Sequence, residues 1–217
     1  MSTEPTSPDL PPRRLRKRFF VPAVVLGVLI LVVLGLYVRG TWANPVADDP
    51  TSSAAGARVQ LYLAPDGKKQ VRCAEVLDWP PEDVWAVISD HAHADRVFRY
   101  LKSVEVQPDP DGRLHLIGRL SSRLWGEWAY DVHIRHRENP AKKEYEASWD
   151  DAGADTLNRG SWVLKPLDGG TKTLLVYTLQ VEFQGFPNFI VRNILLDRIG
   201  SVIPDVRAAL ERKQSRS

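Results

Sequence analysis

The sequence has a single cysteine, Cys73, in 217 residues. That excludes an intrachain disulfide and any zinc site built from several cysteines. Cys73 alternates with apolar neighbours in a strand-like stretch, so it reads as a buried structural thiol. Net charge is nearly absent as well, at +2. Residues 55–217 carry 23 basic and 23 acidic side chains, which removes the electrostatic case for nucleic acid. There is no Ser-His-Asp signature, no glycine loop for phosphates and no heptad repeat, and no cofactor is expected. His91-Ala92-His93-Ala94-Asp95 has metal-binding residue types. On a helix, however, His91 and His93 point roughly 200° apart and only His91 and Asp95 converge. Two convergent groups do not close a site, and no metal is expected.

The charge that is present is placed unevenly. Arg13, Arg14, Arg16, Lys17 and Arg18 precede an uncharged run from Phe19 to Val38, and Arg39 follows it. At 1.5 Å per residue such a run spans about 30 Å, the hydrocarbon thickness of a bilayer. Residues 19–38 are therefore read as a transmembrane anchor, and residues 1–18, rich in proline, as a disordered cytoplasmic tail. The positive-inside rule keeps the N-terminus in the cytoplasm and exports the remainder, as in a bacterial cell envelope. A signal peptide cut near Thr41-Trp42-Ala43 is the alternative, although the run is longer than a usual signal core. Residues 39–57, rich in Gly, Ala, Ser, Pro and Asp, read as a linker.

A folded domain is expected over residues 58–217. Val59, Leu61 and Leu63 alternate with polar residues, Pro65-Asp66-Gly67 signals a turn, and Gln70–Leu77 forms the second arm of a hairpin. Pro80-Pro81-Glu82-Asp83 opens a helix, and a second short helix runs to Tyr100. Strands follow over 103–107, 113–120, 125–137, 144–150, 157–165 and 172–183. The connections between them are short, which implies antiparallel neighbours. One face is apolar and aromatic, with Trp128, Tyr130, Val132, Ile134, Tyr145, Trp149, Trp162 and Tyr177 among its residues. The other carries Glu127, Asp131, His133, Arg135, Glu146, Ser148, Gln180 and Glu182, so it reads as solvated. Asp131, His133 and Arg135 alternate like an acid–base set, but they lie on that solvated face.

The last stretch, Pro187–Lys213, reads as one long helix. Val191, Leu195, Ile199, Val202, Ile203, Val206, Ala209 and Leu210 form its apolar stripe. Phe189–Leu196 is apolar nearly all round. Pro204, which cannot donate to Gly200, predicts a kink near Gly200–Pro204.

This order resembles the START-like (SRPBCC) superfamily, which includes polyketide cyclases, lipid-transfer domains and coenzyme-Q-binding proteins. Three segments carry the likeness over about residues 58–213. They are Leu77-Asp78-Trp79-Pro80-Pro81-Glu82-Asp83-Val84-Trp85-Ala86-Val87-Ile88-Ser89-Asp90, Gly160-Ser161-Trp162-Val163-Leu164-Lys165-Pro166 with Gly170-Thr171, and Pro187–Leu210. The resemblance implies an α+β helix-grip fold, a curved antiparallel sheet wrapped around a long C-terminal helix, here preceded by one transmembrane helix. It also implies an apolar cavity between sheet and helix. Trp128, Tyr130, Trp149, Trp162, Tyr177, Phe98, Phe189, Leu195 and Ile199 are its expected lining, unless these residues simply fill the core. Arg159, if it points inward, is the candidate grip for a polar head group. His91 falls near the expected cavity mouth.

The function expected from this resemblance is binding or transfer of a hydrophobic small molecule, such as a lipid, quinone or isoprenoid. The bilayer is the expected partner of residues 19–38, and no protein partner is indicated. A cyclase or aromatase would need an acid or base inside the cavity, where only tyrosines are placed. An interaction domain with a filled core is the third reading.

Overall fold

The computed structural model describes residues 17–45, 58–64, 66–122, 126–152 and 156–216. The expected tail before Lys17 and the stretch 46–57 lie outside them. Helix α1 (Lys17–Thr41) carries the apolar run. Strands β1 (Asn44–Pro45), β2 (Arg58–Leu63) and β3 (Lys69–Leu77) follow. Next come α2 (Pro81–Ile88), a 3-10 turn at His91–His93 and α3 (Ala94–Val97). Strands β4 (Leu101–Pro108), β5 (Leu114–Ser122), β6 (Gly126–Asn139), β7 (Glu144–Ala152), β8 (Thr156–Leu167) and β9 (Lys172–Phe183) lead to α4 (Asn188–Ile199) and α5 (Val202–Gln214).

Among the described residues the strands form one sheet in the order β1-β2-β3-β9-β8-β7-β6-β5-β4. β1 runs parallel to β2, and every other pair is antiparallel. The architecture is α+β, an open curved sheet gripped by C-terminal helix. Register sets the faces. Cys73, Tyr177, Trp162 and Ala147 stand side by side across β3, β9, β8 and β7, all on the helix side. The core gathers Leu61, Val71, Leu77, Val84, Ile88, Leu164, Leu175, Ile203, Val206 and Leu210 between that face and the helices.

α2 begins where its prolines require. Pro81 occupies the first turn, where its missing N–H is harmless, and Glu82 and Asp83 lie at the positive end of the helix dipole. The C-terminal stretch is interrupted within the expected kink region, Gly200–Pro204, sharply enough to divide it. It is two helices, parted at Gly200–Ser201. Pro204 falls in the first turn of α5, where no intrahelical donor is lost, so it starts a helix instead of bending one. Ser201 closes the joint, its N–H and hydroxyl both donating to the carbonyl of Arg198 at 3.0 and 2.8 Å.

The expected linker differs as well. Residues 39–41 continue α1, and Asn44–Pro45 pair with Tyr62–Leu63. Gln180, expected in solvent, is buried on the outer face, and its side-chain nitrogen donates to Glu182 at 3.0 Å.

Candidate functional site

The helix-facing side of the sheet collects the aromatic residues. Trp162 and Tyr177 are direct cross-strand partners with ring centroids 4.2 Å apart. Trp149 lies 6.1 Å from Tyr177, and Phe98, just after α3, stacks on Trp162 at 6.0 Å. Gly160 makes room for this cluster. A Cβ there would collide with the Trp149 ring and the Thr178 carbonyl. The Trp149 indole N–H donates to Asn158 Oδ1 at 2.9 Å, which satisfies its one polar atom. From the helix side, Ile199 is buried in the same core and Leu195 packs half-buried against it.

Four of the expected lining residues, Phe98, Trp149, Trp162 and Tyr177, thus form one ring cluster, and Leu195 and Ile199 belong to the same core. Trp128 and Tyr130 hold positions on β6 in line with Val132 and Ile134, and they pair with Leu120 and Gly118 of β5. Their side chains lie outside the described atoms.

Two candidates lie elsewhere. Arg159 pairs with Asp150 and Gln180, on the opposite face from Trp162, because positions three apart on a strand face opposite ways. Its Nε donates to Asp150 at 2.8 Å, and that hydrogen bond holds the guanidinium above its ordinary pKa. It is not a head-group grip for the inner face. Phe189 turns toward α1 and meets the Tyr37 ring edge-on at 5.4 Å.

Polar groups reach the core from several elements. His91 Nε2 and His136 Nε2 share a hydrogen bond of 2.8 Å beneath Trp85. Burial, followed by the facing His136, depresses the His91 pKa to about 4; Asp90 opposes the shift. Burial also lowers His136. His91 is therefore a neutral, already partnered group, not an open ligand contact. Asp205 of α5 is buried and accepts from the Arg99 guanidinium Nε at 2.8 Å. Glu75 of β3 is tied to Arg207. Cys73 is fully buried, and desolvation raises its thiol to about 11, so it is inert near neutrality.

The end of α1 is docked on α4. Asn193 is buried, and its Nδ2 donates to Leu36 O at 2.7 Å and to Phe189 O at 2.8 Å. Arg192 Nε donates to Gly40 O at 2.7 Å, and Arg39 pairs with Asp197 at 2.8 Å. Gly40 has no side chain because α4 leaves none room: a Cβ would strike Phe189 O and Asn193. Sequence reasoning missed this joint. Its signals were Arg192 and Asn193, the two polar residues within the otherwise apolar Phe189–Leu196 stretch. Beside the joint an open cleft of about 270 Å³ is lined by Arg39, Trp42, Val59, Gln60, Leu61 and Leu196.

The family model described as polyketide cyclase / dehydrase and lipid transport matches residues 77–211. The chain belongs to this family. The polyketide cyclase and lipid-transport model runs from the end of β3 through α5, so it covers the aromatic face and both helices above it. Solved structures share the fold at low identity. A STAR-related lipid transfer protein fragment from Xanthomonas axonopodis superposes with a TM-score of 0.59 at 14% identity, over 74% of this chain and 96% of that one. Human StAR-related lipid transfer protein 5 gives 0.62 at 12% identity, over 90% and 100%. A Streptomyces aromatase/cyclase gives 0.50 at 16% identity, over 66% and 94%. No curated protein matches the chain.

Proposed function

We propose that this chain is a membrane-anchored binder or carrier of a hydrophobic small molecule, a lipid, quinone or isoprenoid, held between the aromatic face and α4. The observation that carries this reading is the joint between α1 and α4. α1 is long and apolar enough to cross a membrane. Its last turn grips the helix that covers the aromatic face. Tyr37 and Phe189 meet there, and Trp42 and Phe186 stand exposed nearby in sequence, at 77% and 57%. Aromatic residues at the end of a spanning helix settle at headgroup level. The joint thereby sets the binding face beside the bilayer, the reservoir of its ligand. The basic cluster before α1 puts the N-terminus in the cytoplasm and the domain outside it, as in a cell envelope.

Retention comes from burial. At about 25 cal/mol per Å², on the order of 300 Å² of apolar ligand surface contributes on the order of 7 kcal/mol, close to micromolar affinity. Small-molecule sites of this kind need few polar handles.

Native mass spectrometry of the full chain released from detergent, followed by organic extraction, tests the reading. A stoichiometric lipophile is expected on the wild-type chain and absent from Leu195→Trp, whose larger side chain would occupy the proposed binding place beneath α4. Lipids associated only with α1 would remain on both. Identical adducts on the two proteins would refute the proposal.

A further inference from the structure

The outer face of the sheet holds a second cluster, unrelated to the aromatic face. His115 and His133 are direct partners across β5 and β6, with ring centroids 4.2 Å apart and planes inclined by 8°. Asp109 joins them from the β4–β5 turn. One ligand atom each from Asp109, His115 and His133 lies within 4.8 Å of the others. The turn fixes Asp109. Its N–H donates to Arg113 O at 2.9 Å, its carbonyl accepts from Gly112 at 3.1 Å, and Gly112 takes the positive φ of 81° that the turn needs.

The hydrogen bonds around the cluster leave its centre unserved. Asp151 accepts from the His133 backbone N–H at 2.9 Å and holds His133 Nδ1 at 2.8 Å. With the proton on Nδ1, the Nε2 lone pair is free. Nε2 lies 3.7 Å from Asp109 Oδ2, a buried oxygen that accepts no hydrogen bond. Asp131 holds His115 Nε2 at 2.8 Å. Arg113 is the competing cation, but it too stands 3.7 Å from Asp109 Oδ2, and it gives its Nε to Asp111 at 2.7 Å. Asp109 Oδ2 and the free His133 nitrogen therefore face each other with no donor within hydrogen-bond distance of Oδ2. Each imidazole has one nitrogen on a carboxylate, the arrangement that fixes tautomer and orientation in metal-bound histidines.

We propose that Asp109, His115 and His133 bind a divalent transition-metal cation of the zinc type, with Asp151 and Asp131 as the orienting carboxylates. Two imidazoles and one carboxylate suit zinc, cobalt or nickel and not magnesium or calcium. Three protein ligands leave a fourth position for water. Ligands about 2.0–2.1 Å from a tetrahedral zinc lie about 3.3 Å apart, so the widest separation must close by at most about 1.5 Å and the His133–Asp109 pair by only a few tenths of an ångström. Rotation of the turn-borne Asp109 side chain and small ring tilts supply that movement. The metal would join the β4–β5 turn to β5 and β6. Through Asp151 it would also reach β7, where the β6–β7 pairing has stopped at Arg135 and Ser148. It would thus clamp the wall of the sheet where two strands part.

The test is a titration of the full chain in detergent, stripped with chelator, with Co²⁺ and then with Zn²⁺ as competitor. One equivalent of Co²⁺ should bind and give visible d–d bands without thiolate charge transfer, and Zn²⁺ should displace it. His115→Gln and His133→Gln should each weaken binding about 100-fold or more, and Asp151→Asn about 10- to 100-fold. His93→Gln, an exposed residue paired with Asp90, should leave it unchanged. Far-UV circular dichroism checks that each variant is folded. An imidazolium at His133, bridging Asp109 and Asp151, would satisfy the same atoms. In that case the wild-type chain shows no saturable metal uptake in the micromolar range, and the proposal fails. It fails equally if binding survives both His133→Gln and Asp151→Asn.

Discussion

Acidification to about pH 5 should destabilise this protein mainly through His91. Burial and the facing His136 hold the His91 pKa near 4, against 6.5 for the exposed group. The unfolded chain therefore takes a proton near pH 6.5, which the folded chain refuses until near pH 4. Between those values the unfolded state binds more protons, so stability falls as the pH drops and the loss is complete below 4. At 1.36 kcal/mol per pH unit, the loss is about 2 kcal/mol at pH 5 and about 3 kcal/mol when complete. His136, lowered in the same direction, adds to it. The acidic groups with lowered pKa values, Glu82 and Asp111, have ordinary values of 4.5 and 3.8, so their contribution is lost mainly below about pH 5, outside the range over which stability is compared. Urea denaturation of the full chain in mild detergent at about pH 7.5 and about pH 5 measures the effect. Trp85 is the reporter, with its ring centroid 4.9 Å from His136 and its indole N–H on Glu138. His91→Gln keeps a hydrogen-bonding partner for His136 but cannot titrate, so most of the pH dependence should vanish. If His91→Gln loses as much stability between those pH values as the wild type, the reasoning is wrong.

Two further outcomes rest on close approaches. Gly160→Ala should cost about 1–3 kcal/mol in denaturant unfolding, because the new methyl meets the Trp149 ring and the Thr178 carbonyl; an unchanged midpoint would mean the indole can move aside. Asn193→Leu removes both amide bonds to Leu36 and Phe189. Disulfide trapping between cysteines placed at Tyr37 and Phe189 should then fall several-fold, and undiminished trapping would show that the apolar contact alone holds the joint.

Strand alternation and helix periodicity made much of the fold legible. The 172–183 strand was expected with the bounds it has, and the stripe Val191, Ile199, Ile203, Val206 and Leu210 is buried. What stayed hidden depends on register or on distant contacts. Arg159 follows Leu157 and Asn158 and precedes a glycine, so local alternation gives it no face until its pairing with Asp150 is known. Phe189 belongs to an apolar turn, but a helical wheel cannot show that α1 takes that turn away from the sheet. Pro204 reads as a kink wherever it lies inside a helix, and only the break at Ser201 makes it a starting residue. The histidine cluster was half visible. Alternation put Asp131 and His133 on the outer face, whereas His115 and Asp109 join them through a cross-strand pairing and a turn.

The joint at Gly40 and Asn193 determines how α1 is mechanically coupled to the domain. α1 is fixed to α4 by its last turns, and β1 is fixed to β2 immediately after. Residues 46–57 therefore run between two ends that are both already fastened to the same body. Because both ends are held on one body, lengthening the connection gives the domain no extra reach from α1. Under the proposed reading, such a chain would not swing out to meet an acceptor: α1 would set its orientation to the bilayer, and whatever receives the ligand would have to come to it.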